Sequence, residues 1–449
     1  MKRNTLLCLL FGLVIILGLN SSVQTADNVT LVVASVNNPD MQIMEELSKV
    51  FTEETGIKVQ FTILPENDIR SKITQDVAIG GGKFDLVTLG TSDITTYVDN
   101  GWTVPLEPFF EKMTPEEKEW YDKDDLFSSV LPAYSSTTKG LAAIPFYAEG
   151  TMLFYRKDLF AEKNLTISEE PTWQEVYELA KKLHDPARGI YGIAIRGLPG
   201  YGQNMYIFNT IINAFGARWF DMEWNPQFKT AEMREAFKFY KKIITEVAEP
   251  SPTTFGYTEC LNLMSSGRAA MWYDATVAGG TMEGLPNSAV KGKIGYALSP
   301  TAKKKNTSAV GGWGLSITSS SKHKDEAFKF LTWATSKDYV KLVGETKGWA
   351  LVPSGTREST YQLPQYQDSA PFAVMTYRTL KNASWVKPTI DPVPYTGNSL
   401  LNMPEYSSFG EKIAQEVAAY IAGQKDLDSV LDKCQSIALQ AVIEGGYRK

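Results

Sequence analysis

Histidine is almost missing from this chain. Its 449 residues contain 2 histidines, His184 and His323, and only 3 cysteines. Those counts exclude a histidine-rich metal centre and a zinc site built from four cysteines. They also leave little room for Ser–His–Asp catalysis, which needs a positioned imidazole. His184 precedes Asp185-Pro186 at a predicted helix end, and His323 lies between Lys322 and Lys324 before another helix, so both read as surface positions. No Gly-x-Ser-x-Gly turn occurs, because Ser265-Ser266-Gly267 lacks the first glycine. Phosphate loops are lacking too. Gly80-Gly81-Gly82-Lys83 runs into Phe84 where a Ser or Thr would reach Mg²⁺, and Gly197, Gly200 and Gly202 have the wrong order for a dinucleotide fingerprint. An excess of positive charge is also missing. The 45 Lys+Arg face 51 Asp+Glu, a net charge of −6 with no long basic run, which argues against nucleic-acid binding.

What is present begins with an address. Lys2 and Arg3 precede an apolar run from Leu6 to Leu19, followed by the small and polar residues Asn20, Ser21, Ser22, Thr25 and Ala26. This is the layout of a secretory signal peptide over residues 1–26, and the run is shorter than the ~20 residues that span a bilayer as a helix. Cys8 has no Leu-small-small pattern before it and does not read as a lipid-attachment site. Cleavage near Ala26 removes two cations, so the charge moves from −6 to −8. Cys260 and Cys434 then remain, and the sequence leaves open whether they pair.

With 43% apolar residues the rest reads as a folded protein of two or three domains. VTLVVASV (29–36), IKVQFTILP (57–65) and FDLVTLG (84–90) read as strands, and 41–54 and 69–80 between them as helices. This β-α-β-α-β order predicts an α/β fold with a parallel sheet. Further strands are predicted at 141–147, 151–160, 190–196, 269–276, 293–300 and 312–318. Helices are predicted at 173–183, 206–215, 233–247, 260–267, 325–336, 338–345, 409–423 and 426–444.

Aromatics make up 12% of the chain, with 10 Trp and 21 Tyr. Four segments set an aromatic beside a glycine or a carboxylate at a predicted strand edge: Pro145–Gly150, Met271–Asp274, Gly311–Gly314 and Gly348–Ala350. A flat ring can cover the C–H face of a carbohydrate while a neighbouring carboxylate or Arg takes its hydroxyls. Core packing is the competing reading of each Trp. Among the carboxylates, Glu66, Glu149 and Asp274 lie at turns or strand ends, where sites form in α/β proteins, while Asp85 at a strand start reads as structural. A pair of them could also hydrolyse a glycoside.

These segments resemble the carbohydrate-binding proteins of bacterial ABC importers, the group typified by maltose-binding protein. IPFYAEGTMLFYRKDLF (144–160), GRAAMWYDAT (267–276), GGWGLSI (311–317), SKHKDEAFKFLTWATS (321–336) and the tail from 404 to 434 carry the likeness. IYGIAIRGLPGYGQNM, GARWFD (216–221) and GWALVPSGTR (348–357) are similar to the subgroup that binds sorbitol and mannitol. Gly311–Gly314 departs from it, where a longer aromatic stretch with a second Trp is expected.

The resemblance implies a periplasmic-binding-protein-like fold (type II) with two α/β lobes, three crossings and a ligand cleft between them. Lobe one is expected at 27–147 and 298–347, lobe two at 148–297 and 348–449, with crossings near 147–151, 294–301 and 346–353. The implied function is capture of a sugar alcohol or related sugar in the periplasm by hinge closure, and delivery to the permease subunits of an ABC transporter. A monomer is expected, without metal, cofactor, catalytic residue or nucleic-acid partner. Asn37, Asn38, Glu66, Thr91, Arg196 and Asp274 are assigned to the ligand hydroxyls, Tyr147 and Glu149 to the first crossing, and Trp313 and Trp349 to stacking. Trp219 and Arg378 are weaker candidates. A secreted glycoside hydrolase or lyase using Glu149 or Asp274, and a sugar-sensing receptor module, remain as alternatives.

Overall fold

The computed structural model describes residues 29–136 and 139–448. The expected signal peptide, residues 1–26, lies outside them. The chain opens with β1 (Thr30–Val36), α1 (Pro39–Thr55), β2 (Lys58–Leu64), α2 (Glu66–Ala78), β3 (Leu86–Gly90) and α3 (Ile94–Asp99). Asn38 starts α1, its side chain accepting from the Met41 N–H with Pro39 in the first turn, and Gly56 stops it at φ 76°. Strands β4 (Ile144–Glu149) and β5 (Thr151–Arg156) follow, then α4 (Trp173–Leu183), α5 (Asn204–Ala214), α6 (Ala231–Glu246) and α7 (Tyr257–Ser265). The remainder comprises β6 (Met271–Ala275), β7 (Ile294–Leu298), β8 (Gly311–Ile317), α8 (Lys324–Ala334), α9 (Lys337–Thr346), α10 (Tyr406–Ile421) and α11 (Leu427–Glu444).

Two sheets divide these strands. The first has the order β2-β1-β3-β8-β4; β1 runs parallel to β2 and β3, and the late strand β8 runs antiparallel to both β3 and β4. The second is antiparallel, in the order β6-β5-β7. The chain thus passes between sheets at Gly150, between Leu298 and Gly311, and again after α9. These passages are stitched together. Thr151 N donates to Ser308 Oγ at 2.8 Å, Ala148 N to Ser354 O at 2.9 Å, and Thr356 Oγ1 to Phe146 O at 2.7 Å. The result is two α/β lobes joined by three passages of the chain.

Each lobe buries its own aromatic core. In the first, Phe51 of α1 meets Phe330 and Trp333 of α8 at 5.2 and 5.5 Å between ring centroids. In the second, Phe208 of α5 stacks on Tyr240 of α6 at 4.5 Å, and Trp173 packs edge-on to Tyr273 at 4.8 Å. Trp219 belongs to this second core, its Nε1 donating to Asn209 Oδ1 at 2.9 Å, which argues against a cleft role. Arg378 pairs with Glu169 at 2.9 Å on the surface. Cys260 and Cys434 are free thiols, both buried.

Two predicted strands differ from what forms. The run 151–160 is extended only as far as Arg156. There the guanidinium turns back onto Asp158, at 2.7 and 2.6 Å, and a short helix, Lys157–Glu162, begins. Residues 190–196 make only isolated bridges. Their N–H groups go to different partners, Tyr191 to Arg268 O, Ile193 to Val247 O and Ala194 to Met271 O.

Candidate functional site

Register places the site. On the first sheet Trp313 of β8 lies opposite Gly90 of β3 and Tyr147 of β4, and Gly311 lies opposite Glu149. Period-two alternation therefore puts Trp313, Tyr147 and Glu149 on one face. Gly311 leaves room on that face for a residue of the other lobe. A methyl group there would come 2.6 Å from the Tyr206 hydroxyl, and that hydroxyl donates to Glu149 Oε1 at 3.0 Å. Burial pushes the Glu149 carboxyl up to about 8, against the opposing pull of Arg196, so it is mostly protonated at neutral pH.

Arg196 faces this group from lobe two. Its Nε and Nη2 donate to the two oxygens of Asp274 at 2.9 and 2.6 Å, and its Nη1 donates to Gly202 O at 2.9 Å. The rings of Tyr206 and Tyr257 lie 4.9 and 5.0 Å from its central carbon. Burial works against the guanidinium charge, and Asp274, Glu66 and Tyr206 together outweigh it, so Arg196 stays charged.

Asp274 is fully engaged. Its oxygens also accept from Trp272 Nε1 at 3.1 Å and from the Ala275 N–H at 2.7 Å, and the residue is 0% exposed. No lone pair is left for a ligand hydroxyl or for attack on a glycoside. The structure therefore moves Asp274 from hydroxyl recognition to holding Arg196.

The other candidates divide into groups. Asn37 and Asn38 stand at the mouth of the interlobe cleft. They line a cavity of about 470 Å³ with Gln42 of α1 and with Tyr257, Asn262 and Ser266 of the second lobe. Asn38 Nδ2 donates to the Tyr147 hydroxyl at 2.9 Å, tying that mouth to the sheet face. Thr91 follows β3 and is buried with its hydroxyl unpartnered among the described residues. Glu66, the first residue of α2, accepts from Arg70 at 3.3 Å and from Gln203 Nε2 of the other lobe at 3.1 Å. Trp349 stands apart. Its ring lies on Gly344 of α9, where a methyl group would come 2.5 Å from Cε3, and no hydrogen bond, ion pair or ring contact among the described residues joins it to the other nine.

Several residues of the site carried no local signal. Arg70 of α2 lies over the Trp313 ring at 4.5 Å and pairs with Asp93, and its i,i+4 relation to Glu66 is the one sequence clue to it. Tyr201, Gln203, Tyr206 and Tyr257 come from stretches that read as a turn or as ordinary helix. Asp40, in the first turn of α1, is half-buried and pushed up to about 7 by burial.

Buried charged donors, neutralised carboxylic acid and aromatic faces suit a neutral, hydroxyl-rich ligand. Each hydroxyl taken from water needs a replacement hydrogen bond, and bonds to charged groups are the stronger ones.

The chain is similar to the mannitol-binding protein of Pseudomonas aeruginosa, 40% identical over 423 residues and 94% of each chain. It superposes on a solute-binding protein of Agrobacterium vitis with bound D-mannitol, at a TM-score of 0.88 and 38% identity over 94% of this chain and 100% of the other. A solute-binding protein of Agrobacterium radiobacter in complex with ribitol matches at a TM-score of 0.81 and 25% identity, over 92% and 98%. These relatives are binding proteins, not enzymes. Residues 34–341 match the bacterial extracellular solute-binding protein family, and the chain belongs to that family.

Proposed function

We propose that this protein is the extracytoplasmic receptor of an ABC importer, and that it captures a hexitol of the mannitol type between its lobes. The observation that carries the reading is the likeness to the D-mannitol-bound protein over 94% of this chain, together with a buried site that suits an uncharged polyol. Trp313, Tyr147, Glu149 and Thr91 meet the ligand from lobe one, and Arg196, Tyr206 and Tyr257 from lobe two. A ligand touching both lobes stabilises the closed arrangement over the open one, and the closed shape is what the permease engages. The protein works as a monomer in the periplasm. No helix among the described residues is long and apolar enough to cross a membrane.

Thermal shift against a panel of D-mannitol, sorbitol, ribitol, glucose and maltose tests this. A ligand at a hundred times its Kd stabilises by about 2.7 kcal/mol. We expect the hexitols to raise the melting temperature most. No shift with any polyol, or a larger one with maltose, refutes the reading.

A further inference from the structure

The two flanks of the cleft differ. On one flank the lobes stand apart around the 470 Å³ cavity at Asn37 and Asn38. On the other they are joined by direct side-chain contacts, concentrated on three consecutive residues of lobe two, Tyr201, Gly202 and Gln203. The Tyr201 hydroxyl accepts from Arg70 Nη1 at 3.0 Å and donates to Asp93 Oδ1 at 3.1 Å, both of lobe one. Its ring also covers the Arg70 guanidinium at 4.9 Å. Gln203 Nε2 donates to Glu66 Oε2 at 3.1 Å. Gly202 lies so close to lobe one that a methyl group there would come 2.2 Å from Glu66 Oε1. Nearby, Thr96 Oγ1 donates to Pro404 O at 3.2 Å, extending the seal.

The same three residues are tied back to the ligand site. Gly202 O accepts from Arg196, and Gln203 Oε1 accepts from the N–H of Tyr257 at 3.2 Å. On the lobe one side, the arginine that Tyr201 grips is the one that lies over Trp313. Tyr201 itself lines an outer groove that it shares with Arg70, Asn67, Ser71, Thr74 and Glu411.

We propose that Tyr201-Gly202-Gln203 is a closure latch. Tyr201 and Gln203 are positioning residues that hold the lobes shut without touching ligand, and they set how long a captured polyol stays. Arg196 couples the latch to occupancy, because its guanidinium spans from the ligand site to the Gly202 carbonyl. The kinetic part rests on the polyol-receptor reading; the structural part, a ligand-independent interlobe seal, does not.

The test uses the mature protein with Tyr201→Phe and Gln203→Ala. Tyr201→Phe keeps the ring over Arg70 and removes only the hydroxyl. Stopped-flow fluorescence should show D-mannitol release about tenfold faster in Gln203→Ala, the effect of losing one charge-assisted hydrogen bond between the lobes, and at least that much faster in Tyr201→Phe, which loses two. Association should be nearly unchanged, and the preference for D-mannitol over ribitol should match the wild type. Unchanged release overturns the latch. A preference altered in step with affinity also overturns it, since the residues would then contact ligand. A second arm needs no ligand. Lys83→Cys and Lys291→Cys place one label on each lobe, selectively because both native thiols are buried. The ligand-free wild type should populate the short interlobe distance more than Tyr201→Phe does. If D-mannitol fails to bind the wild type, the receptor reading falls, while this distance comparison still decides the latch: identical distributions overturn it.

Discussion

Arg196 and Asp274 form a two-pronged ion pair at 2.9 and 2.6 Å, with Asp274 fully enclosed and Arg196 nearly so. Removing one partner of such a pair leaves an uncompensated buried charge, which typically costs about 3–5 kcal/mol. Asp274→Ala should therefore destabilise the ligand-free protein by about that amount, besides weakening ligand binding through a misplaced Arg196. Urea unfolding without ligand checks it. A variant as stable as the wild type with weakened affinity would return Asp274 to direct ligand contact.

Trp313 and Trp349 should separate by fluorescence. The Trp313 ring sits on the sheet face between Tyr147 and Gly90, beneath Arg70, where closure changes its surroundings. The Trp349 ring rests on α9 of its own neighbourhood. Trp313→Phe should remove most of the ligand-induced emission change, and Trp349→Phe should keep it. The reverse pattern in a titration with D-mannitol would place Trp349 in the cleft.

Local sequence does not separate Trp313 from Trp349. Both sit beside glycine, in Gly312-Trp313-Gly314 and Gly348-Trp349-Ala350. Only the first lies on a strand whose neighbours supply Tyr147 and Glu149, and strand order is not written locally. Elements with their own start and stop signals were legible: α4 begins at Thr172 with a capping box to Glu175, and its observed span, Trp173–Leu183, matches the prediction. The stretches 94–134 and 349–403 fold into short turns and helices whose shape depends on tertiary contacts. The Arg70–Tyr201 contact spans 131 positions, and neither residue stands in a recognisable motif. Glu66, Glu149 and Asp274 are candidates by type and position, but whether one faces ligand or holds another side chain depends on partners far away in sequence.

Glu249 offers a stability test independent of ligand. It follows α6, is buried, and neither carboxylate oxygen has a partner among the described residues. Burial raises it from 4.5 to about 7. A carboxyl raised in the folded state favours folding while both states hold the proton. That contribution is full below the unfolded value and is lost as pH rises towards about 7. Stability should decline across this range by up to about 3 kcal/mol, from about 1.36 kcal/mol per pKa unit. Glu249→Gln should flatten this part of the profile and raise stability at mildly alkaline pH. Denaturant midpoints measured from below the unfolded value to above the folded one check it, and an unchanged slope would rule the carboxyl out as its source.

Glu149 makes the same physics act on binding. Burial in the closed site holds its carboxyl at about 8, with Arg196 pulling the other way. Opening the cleft exposes the group to water and lets it approach its ordinary value of 4.5. Closure around ligand at neutral pH should therefore take up a proton. The closed state is favoured at low pH, and that advantage is lost as pH rises through about 8, so affinity should weaken across this range. The substitution Glu149→Gln keeps a neutral, hydrogen-bonding group of similar shape. Calorimetry of D-mannitol binding in buffers of different ionisation enthalpy should show uptake approaching one proton for the wild type and close to none for this variant. Equal uptake in the two proteins would mean that Glu149 is already in its closed-state environment before ligand arrives, or that another group, with Asp40 the first to examine, carries the proton.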